Sequence, residues 1–146
     1  MELEVRRAKA TDCAAVCELA TALVGFEADR LASFEAALAD PDHDLIVAGT
    51  DSAVVGYAHL MVYPDLTHGA LAGELLGLIV RKDVRRQGIA TALMREIIRV
   101  ARLRGVGELH INTEPDNEAA KALYASLGAE VVGIQMEIEL EAEDEQ

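Results

Sequence analysis

The 146-residue chain has no apolar run approaching the ~20 residues that a membrane-spanning helix needs. Its opening stretch MELEVRRAKA lacks the apolar core of a signal peptide. Both absences lead to the expectation of a cytoplasmic protein. Cysteine is scarce: Cys13 and Cys17 stand four apart, on one face of an expected helix, with no histidine or further cysteine at metal-ligand spacing. They read as two small buried apolar residues, and no metal is expected. Positive charge is also short, with 13 basic against 26 acidic residues and a net charge of −13. Such a balance argues against nucleic acid and anionic membrane surfaces as partners. Neither a G-x-x-x-x-G-K-[ST] phosphate loop nor a G-x-G-x-x-G dinucleotide motif is present. The chain contains no internal repeat and no linker. Beyond a single domain over residues 1–140, only the acidic tail 141–146, EAEDEQ, is expected to fray.

Half of the residues are apolar, and their spacing divides the chain into alternating elements. Glu2 to Ala8 reads as a strand, and Asp12 as the cap of a helix reaching Val24. A second helix is expected from Glu27 to Ala39, ended by Asp40-Pro41. Strands follow at His43–Gly49 and Ala53–Tyr63, with a turn near Asp51 between them. Pro64 to Gly73 reads as a loop, and Glu74–Val80 as a buried strand with Gly77 at a bulge. Ile89, Leu93, Ile97 and Val100 recur at helical spacing between Gly88 and Arg104, and Gly105 ends that helix. A strand at Glu108–Thr113, a helix at Asn117–Leu127 and one or two closing strands at Glu130–Leu140 complete the order. The expectation is an α/β (α+β) domain: a mixed central sheet of six to seven strands flanked by about four helices.

The charge is unevenly placed. Residues 81–104 carry +6, while the rest of the chain carries −19. Arg95, Arg99 and Arg102 read as a solvated helix face. Arg85 and Arg86 differ, because with Gln87 they lead into Gly88 where a helix begins. A helix start offers unpaired N–H groups and about half a positive charge. A glycine there lets an oxygen approach, and flanking arginines add charge-assisted hydrogen bonds. The turn suits a pyrophosphate.

The spacing Arg85-x-x-Gly88-x-Ala90, following an apolar strand that ends in Val80, resembles the [R/Q]-x-x-G-x-[G/A] signature of the GNAT acetyltransferases. The segment from Asn117 through Ala120, Leu123 and Tyr124 to Leu127-Gly128 is similar to that family's N-x-x-A-x-x-L-Y-x-x-L-G helix. Val54-Val55-Gly56-Tyr57-Ala58 resembles its third strand. Ala129 departs from the pattern, since an aromatic usually stands there.

The resemblance implies an acetyl-CoA-dependent N-acetyltransferase acting by direct transfer in a ternary complex. Leu78, Ile79 and Val80 would pair with the pantetheine arm through their backbone, and Arg85, Arg86, Gln87, Gly88, Ile89, Ala90 and Thr91 would hold the pyrophosphate. Asn117, beside Ala120, would hydrogen-bond the pantetheine, and Tyr124 would protonate the departing thiolate. Glu74 would be the general base, with His59, His68 or water as alternatives; Asn112 stands where some relatives use a glutamate, and Leu76 replaces a second acid seen in some relatives. Phe26 and Arg30 would wall the acceptor site. A small-molecule amine, cationic before reaction, is the expected partner, and a homodimer is compatible with the family. Two other readings stay open: a protein lysine or N-terminal acetyltransferase, and a non-catalytic module that binds acyl-CoA.

Overall fold

The computed structural model describes residues 2–50 and 53–140; the expected turn at Asp51 and the tail 141–146 lie outside them. The elements are β1 (Leu3–Arg7), α1 (Cys13–Val24), α2 (Leu31–Ala39), β2 (His43–Thr50), β3 (Ala53–Asp65), β4 (Ala70–Val80), α3 (Ile89–Leu103), β5 (Val106–Ile111) and α4 (Glu118–Ser126). Four α-helices and a mixed sheet among the described residues give the expected α/β class. The sheet has five strands there, in the order β1-β2-β3-β4-β5, not six to seven. Its first four strands are antiparallel, and β5 joins β4 in parallel after the α3 crossover.

The missing strands are those expected at Glu130–Leu140, where no strand forms among the described residues. Val132, Ile134, Met136, Ile138 and Leu140 alternate as a strand would, yet each is more than 80% exposed. Alternation encodes a face to be covered; a strand also needs a neighbour for its N–H and C=O groups. The chain forms two compact units, one up to Ile111 and the other from Asn112 onward.

Other details differ from expectation, among them β5, which runs over Val106–Ile111 rather than Glu108–Thr113. β3 and β4 extend into the stretch expected as a loop, leaving only residues 66–69 as the connection. Pro64 is accommodated near the hairpin end, opposite Leu71. Helix α2 begins at Leu31 rather than Glu27, where the Asp29 carboxylate accepts the Leu31 N–H at 3.2 Å. The Asp12 side chain makes no capping bond to α1. It accepts instead from Arg6, at 2.7 and 3.0 Å, and from the Lys9 N–H at 2.7 Å.

β3 shows how the sheet divides its two faces. Ala58, Leu60 and Val62 are buried, whereas Tyr57, His59, Met61 and Tyr63 are only partly covered. On the buried side an added Cβ at Gly56 would meet Leu93 of α3 at 3.1 Å. Leu93, Met94 and Ile97 of α3 are almost inaccessible; each such side chain contributes roughly 1.5–3 kcal/mol by burial. On the other side Tyr57 packs with Val16 of α1, Phe34 of α2, and Leu45 and Val47 of β2. Asp44 of β2 is wholly buried and is neutralised by Arg7 of β1 and by Arg104, whose Nε lies 2.5 Å from its Oδ2. That clasp joins β1, β2 and the end of α3.

Candidate active site

The site begins where the sheet opens. β4 pairs with β5 only from Leu71 to Leu75, the last pair being Leu75 with Ile111. Opposite β3, His59 faces Gly77 and Leu60 faces Leu75, so Leu76 is the additional residue of a bulge. The bulge sits one residue before the expected Gly77. Gly77 has a different use: a Cβ there would meet the Tyr57 ring at 3.6 Å and its hydroxyl at 3.8 Å. Beyond the bulge, Leu78, Ile79 and Val80 pair with Ala58, Tyr57 and Gly56 of β3 and have no β5 partner among the described residues. One backbone edge of β4 is therefore open to an extended ligand.

This open strand leads into the basic turn. Arg81 N–H donates to Val55 O at 2.7 Å, and Arg81 is ion-paired with Asp83. The Arg85 side chain turns back, its Nε donating to Val80 O at 3.1 Å. Arg86 has φ +65° and Gly88 φ +80°. Nothing lies within 4 Å of where a Gly88 Cβ would be, so the helix start is uncrowded. The first helical bond runs from Ala92 N–H to Gly88 O at 3.0 Å. The N–H groups of Ile89, Ala90 and Thr91 precede it, with no acceptor within the helix. A bare helix start, fixed glycine geometry and two exposed arginines make a binding surface for an anion.

The partly covered face of β3 continues across the sheet. Glu74 is in register with Met61 on one side and His110 on the other. Tyr63 Oη lies 3.4 Å from His110 Nδ1, and His110 Nε2 lies 3.2 Å from Glu108. Burial raises the Tyr63 hydroxyl pKa, and the charges of Glu74 and Asp65 raise it further. His68, an alternative base, is instead exposed and paired with Asp65 at 2.7 Å, which holds its pKa up. His59 meets His43, Nε2 to Nδ1, at 2.8 Å. The sequence does not by itself single out Tyr57, Tyr63, His43 and His110 as site residues. The odd-numbered spacing of 57, 59 and 63 carries a signal for a shared face; the link to His110 depends on strand register.

His59 predicts a pH effect on stability. Burial, and then the neighbouring His43, lower its pKa from 6.5 to about 4. Between these values the unfolded chain binds the proton and the folded chain does not. Stability present above pH 6.5 is thus lost as pH falls toward 4. Allowing for the partial exposure of His59, the loss should be about 2 kcal/mol. Urea unfolding of wild type and His59→Gln at pH 7 and pH 4.5 checks this. The wild type should lose more stability than the variant, and equal losses would refute the assignment.

The expected acceptor-wall residues meet each other. Arg30 Nη1 donates to Thr21 Oγ1 at 2.7 Å and Nη2 to Phe26 O at 3.2 Å, while its guanidinium lies 5.9 Å from the Phe26 ring centre. Arg30 thus braces the α1–α2 connection, and the Phe26 ring stays exposed. Cys13 and Cys17 are free thiols with sulfurs 3.8 Å apart, and burial raises the Cys17 pKa. Among the described residues no group of three or more His, Cys, Asp or Glu side chains could hold a metal ion. No helix among them is long and apolar enough to cross a membrane.

The second unit holds the remaining expected site residues. Asn117 caps α4, its Oδ1 accepting from the Ala120 N–H at 3.1 Å. This leaves the amide nitrogen of Asn117 as its donor. Tyr124 is half-buried on α4, and burial raises its pKa, so it is protonated at neutral pH.

Comparison with known proteins finds relatives in sequence and in fold. The sequence profile of the acetyltransferase (GNAT) family matches residues 10–129. Aminoglycoside N(6')-acetyltransferase type 1 of Serratia marcescens is 32% identical over 108 residues, 71% of this chain and 74% of the relative. N-acetyltransferase 8 of Homo sapiens is 36% identical over 87 residues; the match spans 60% of this chain but only 38% of the human protein. Among solved structures, AAC(6')-Iy in complex with the bisubstrate analogue CoA-S-monomethyl-acetylneamine superposes with a TM-score of 0.86 at 21% identity, covering 97% of this chain and all of that one.

Proposed function

The chain belongs to the GNAT acetyltransferase family, and from that premise we propose that it transfers the acetyl group of acetyl-CoA to a primary amine of a small molecule. The observation that carries this reading is the parting of β4 from β5 after Leu75, directly ahead of the Gly88 turn. The open edge over Leu78–Val80 suits the amide-bearing pantetheine arm, and the N–H groups of Gly88–Thr91 suit the pyrophosphate. Arg86 and Gln87 add polar contacts there. Arg85, bonded to Val80 O, also fixes the path from strand to turn.

In the proposed reaction the neutral amine nitrogen attacks the thioester carbon. A C–N bond forms, the C–S bond breaks, and the thiolate leaves. A backbone N–H of β4 beyond the bulge stabilises the oxyanion. Tyr124 supplies the proton to the thiolate sulfur, and Glu74, directly or through water, takes the proton lost by the amine. Holding both substrates together makes a covalent enzyme intermediate unnecessary. The match to an aminoglycoside acetyltransferase along most of its length favours a small-molecule acceptor over a peptide.

The test is incubation with acetyl-CoA and a panel of amines, with thiol release as the readout. Release dependent on a small amine supports the proposal. Release only with peptides favours protein acetylation, and tight acetyl-CoA binding with no turnover favours a binding module. Glu74→Gln should lower kcat about tenfold and flatten the acid limb of its pH profile, water replacing part of the base function. An unchanged profile would remove Glu74 from that role.

A further inference from the structure

The +6 segment does not end at the phosphate-suited turn. At the far end of α3, roughly 20 Å along the axis from Gly88 at 1.5 Å per residue, the helix meets edge strand β1 and leaves a groove of about 510 Å³. Arg6 and Arg7 from β1 and Arg99 and Arg104 from the α3 end line it, together with the acidic Glu96. Val5, Val100 and Leu103 contribute apolar surface, and Leu103 is 74% exposed. The four guanidinium groups are paired with three carboxylates, Asp12, Asp44 and Glu96, which leaves the cluster one net positive charge.

The internal ion pairs leave donors in reserve. Arg7 uses Nη2 on Asp44, and Arg99 uses Nε and Nη2 on Glu96. A guanidinium has five N–H donors, so both side chains, each about 60% exposed, retain N–H groups without an intramolecular acceptor among the described residues. Arg6 and Arg104 are less exposed and are held by Asp12 and Asp44, which fixes two more positive charges in place. The groove is half open to solvent and has room for one small molecule. Glu96 and the carbonyl end of α3 both oppose negative charge, so the one net positive charge of the cluster suits at most a monoanion.

We propose that the groove between β1 and α3 binds a small organic carboxylate carrying an apolar body, at a site separate from the Gly88 turn. The carboxylate pairs with the free N–H groups of Arg7 and Arg99, and the apolar body lies on Val5, Val100 and Leu103. Arg99 is the gatekeeping residue, because its partner Glu96 is one helical turn away and is not needed for the Asp44 clasp.

The test uses the full chain, ¹⁵N-labelled, with 2-naphthoate as probe and uncharged 2-naphthamide as control. The expected result is saturable movement of the Val5, Val100 and Leu103 amides with 2-naphthoate, binding at least fivefold weaker for 2-naphthamide, and no displacement by CoA. Arg99→Glu should keep the wild-type spectrum elsewhere and weaken 2-naphthoate about tenfold or more; Leu103→Ser should weaken both probes. No movement at 5 mM probe, equal binding of the two probes, unchanged affinity in a folded Arg99→Glu variant, or displacement by CoA would each overturn the proposal.

Discussion

Gly88→Asp is expected to weaken CoA binding by a hundredfold or more, equivalent to about 2.7 kcal/mol. The carboxylate would stand at the start of α3, against the N–H groups proposed to receive the pyrophosphate. It would compete for those donors as an internal cap and repel the ligand's charge. The backbone is not the main obstacle. Gly88 has φ +80° with open space where a Cβ would lie, and aspartate tolerates the left-handed region better than most residues. Gly88→Ala separates the two effects: it carries the conformational strain, about 1 kcal/mol, but no charge. Calorimetry should show a small loss for alanine and a large one for aspartate. Equal losses would mean that backbone geometry, not an anion, explains the glycine.

Tyr124→Phe is expected to lower kcat about a hundredfold while changing the KM for acetyl-CoA less than threefold, as loss of a proton donor acting only in the transition state requires. Removing the hydroxyl leaves the ring and its packing. Burial raises the hydroxyl pKa above its ordinary value, so loss of its proton should give the wild-type rate an alkaline limb, and the variant should lack that limb. A variant with normal turnover would leave Tyr124 as a packing residue. A proportional rise in KM would instead place it in binding.

These two predictions rest on features of different legibility. The Gly88 turn can be read directly because its signals are contiguous: an apolar strand ending at Val80, paired arginines, a glycine and an amphipathic helix all fall within about 25 residues. The boundaries of α1, α3 and α4 follow for the same reason, since helical period and end signals are local. The row of partly covered side chains is not legible in this way. It brings Tyr63 beside His110, 47 positions away, through two strand registers that no local pattern states. The bulge at Leu76 is similar. A glycine is a common bulge marker and points one residue late, whereas this Gly77 accommodates the Tyr57 ring. The closing strands expected at Glu130–Leu140 do not form among the described residues for a further reason. Residues 132–140 carry the alternating pattern, but the pattern cannot supply a hydrogen-bonding neighbour.

Glu74 and Asn117 show how the structure narrows a sequence reading. Glu74 lies in register with His110 of β5, whereas His59 turns to His43 of β2, on the other side of β3. The Asn117 side chain has its oxygen committed to the start of α4, so a ligand would meet its amide nitrogen. Arg30 supports the α1–α2 connection, and Phe26 is the exposed group beside it.

Reception of CoA by the open edge of β4 together with the start of α3 is tested most directly by a ¹H–¹⁵N titration of the full chain with CoA. The backbone amides of Leu78–Val80 and Gly88–Thr91 should shift together with one sub-millimolar affinity. Saturation that leaves those amides unmoved, or no binding at millimolar CoA, would contradict this placement of the cofactor.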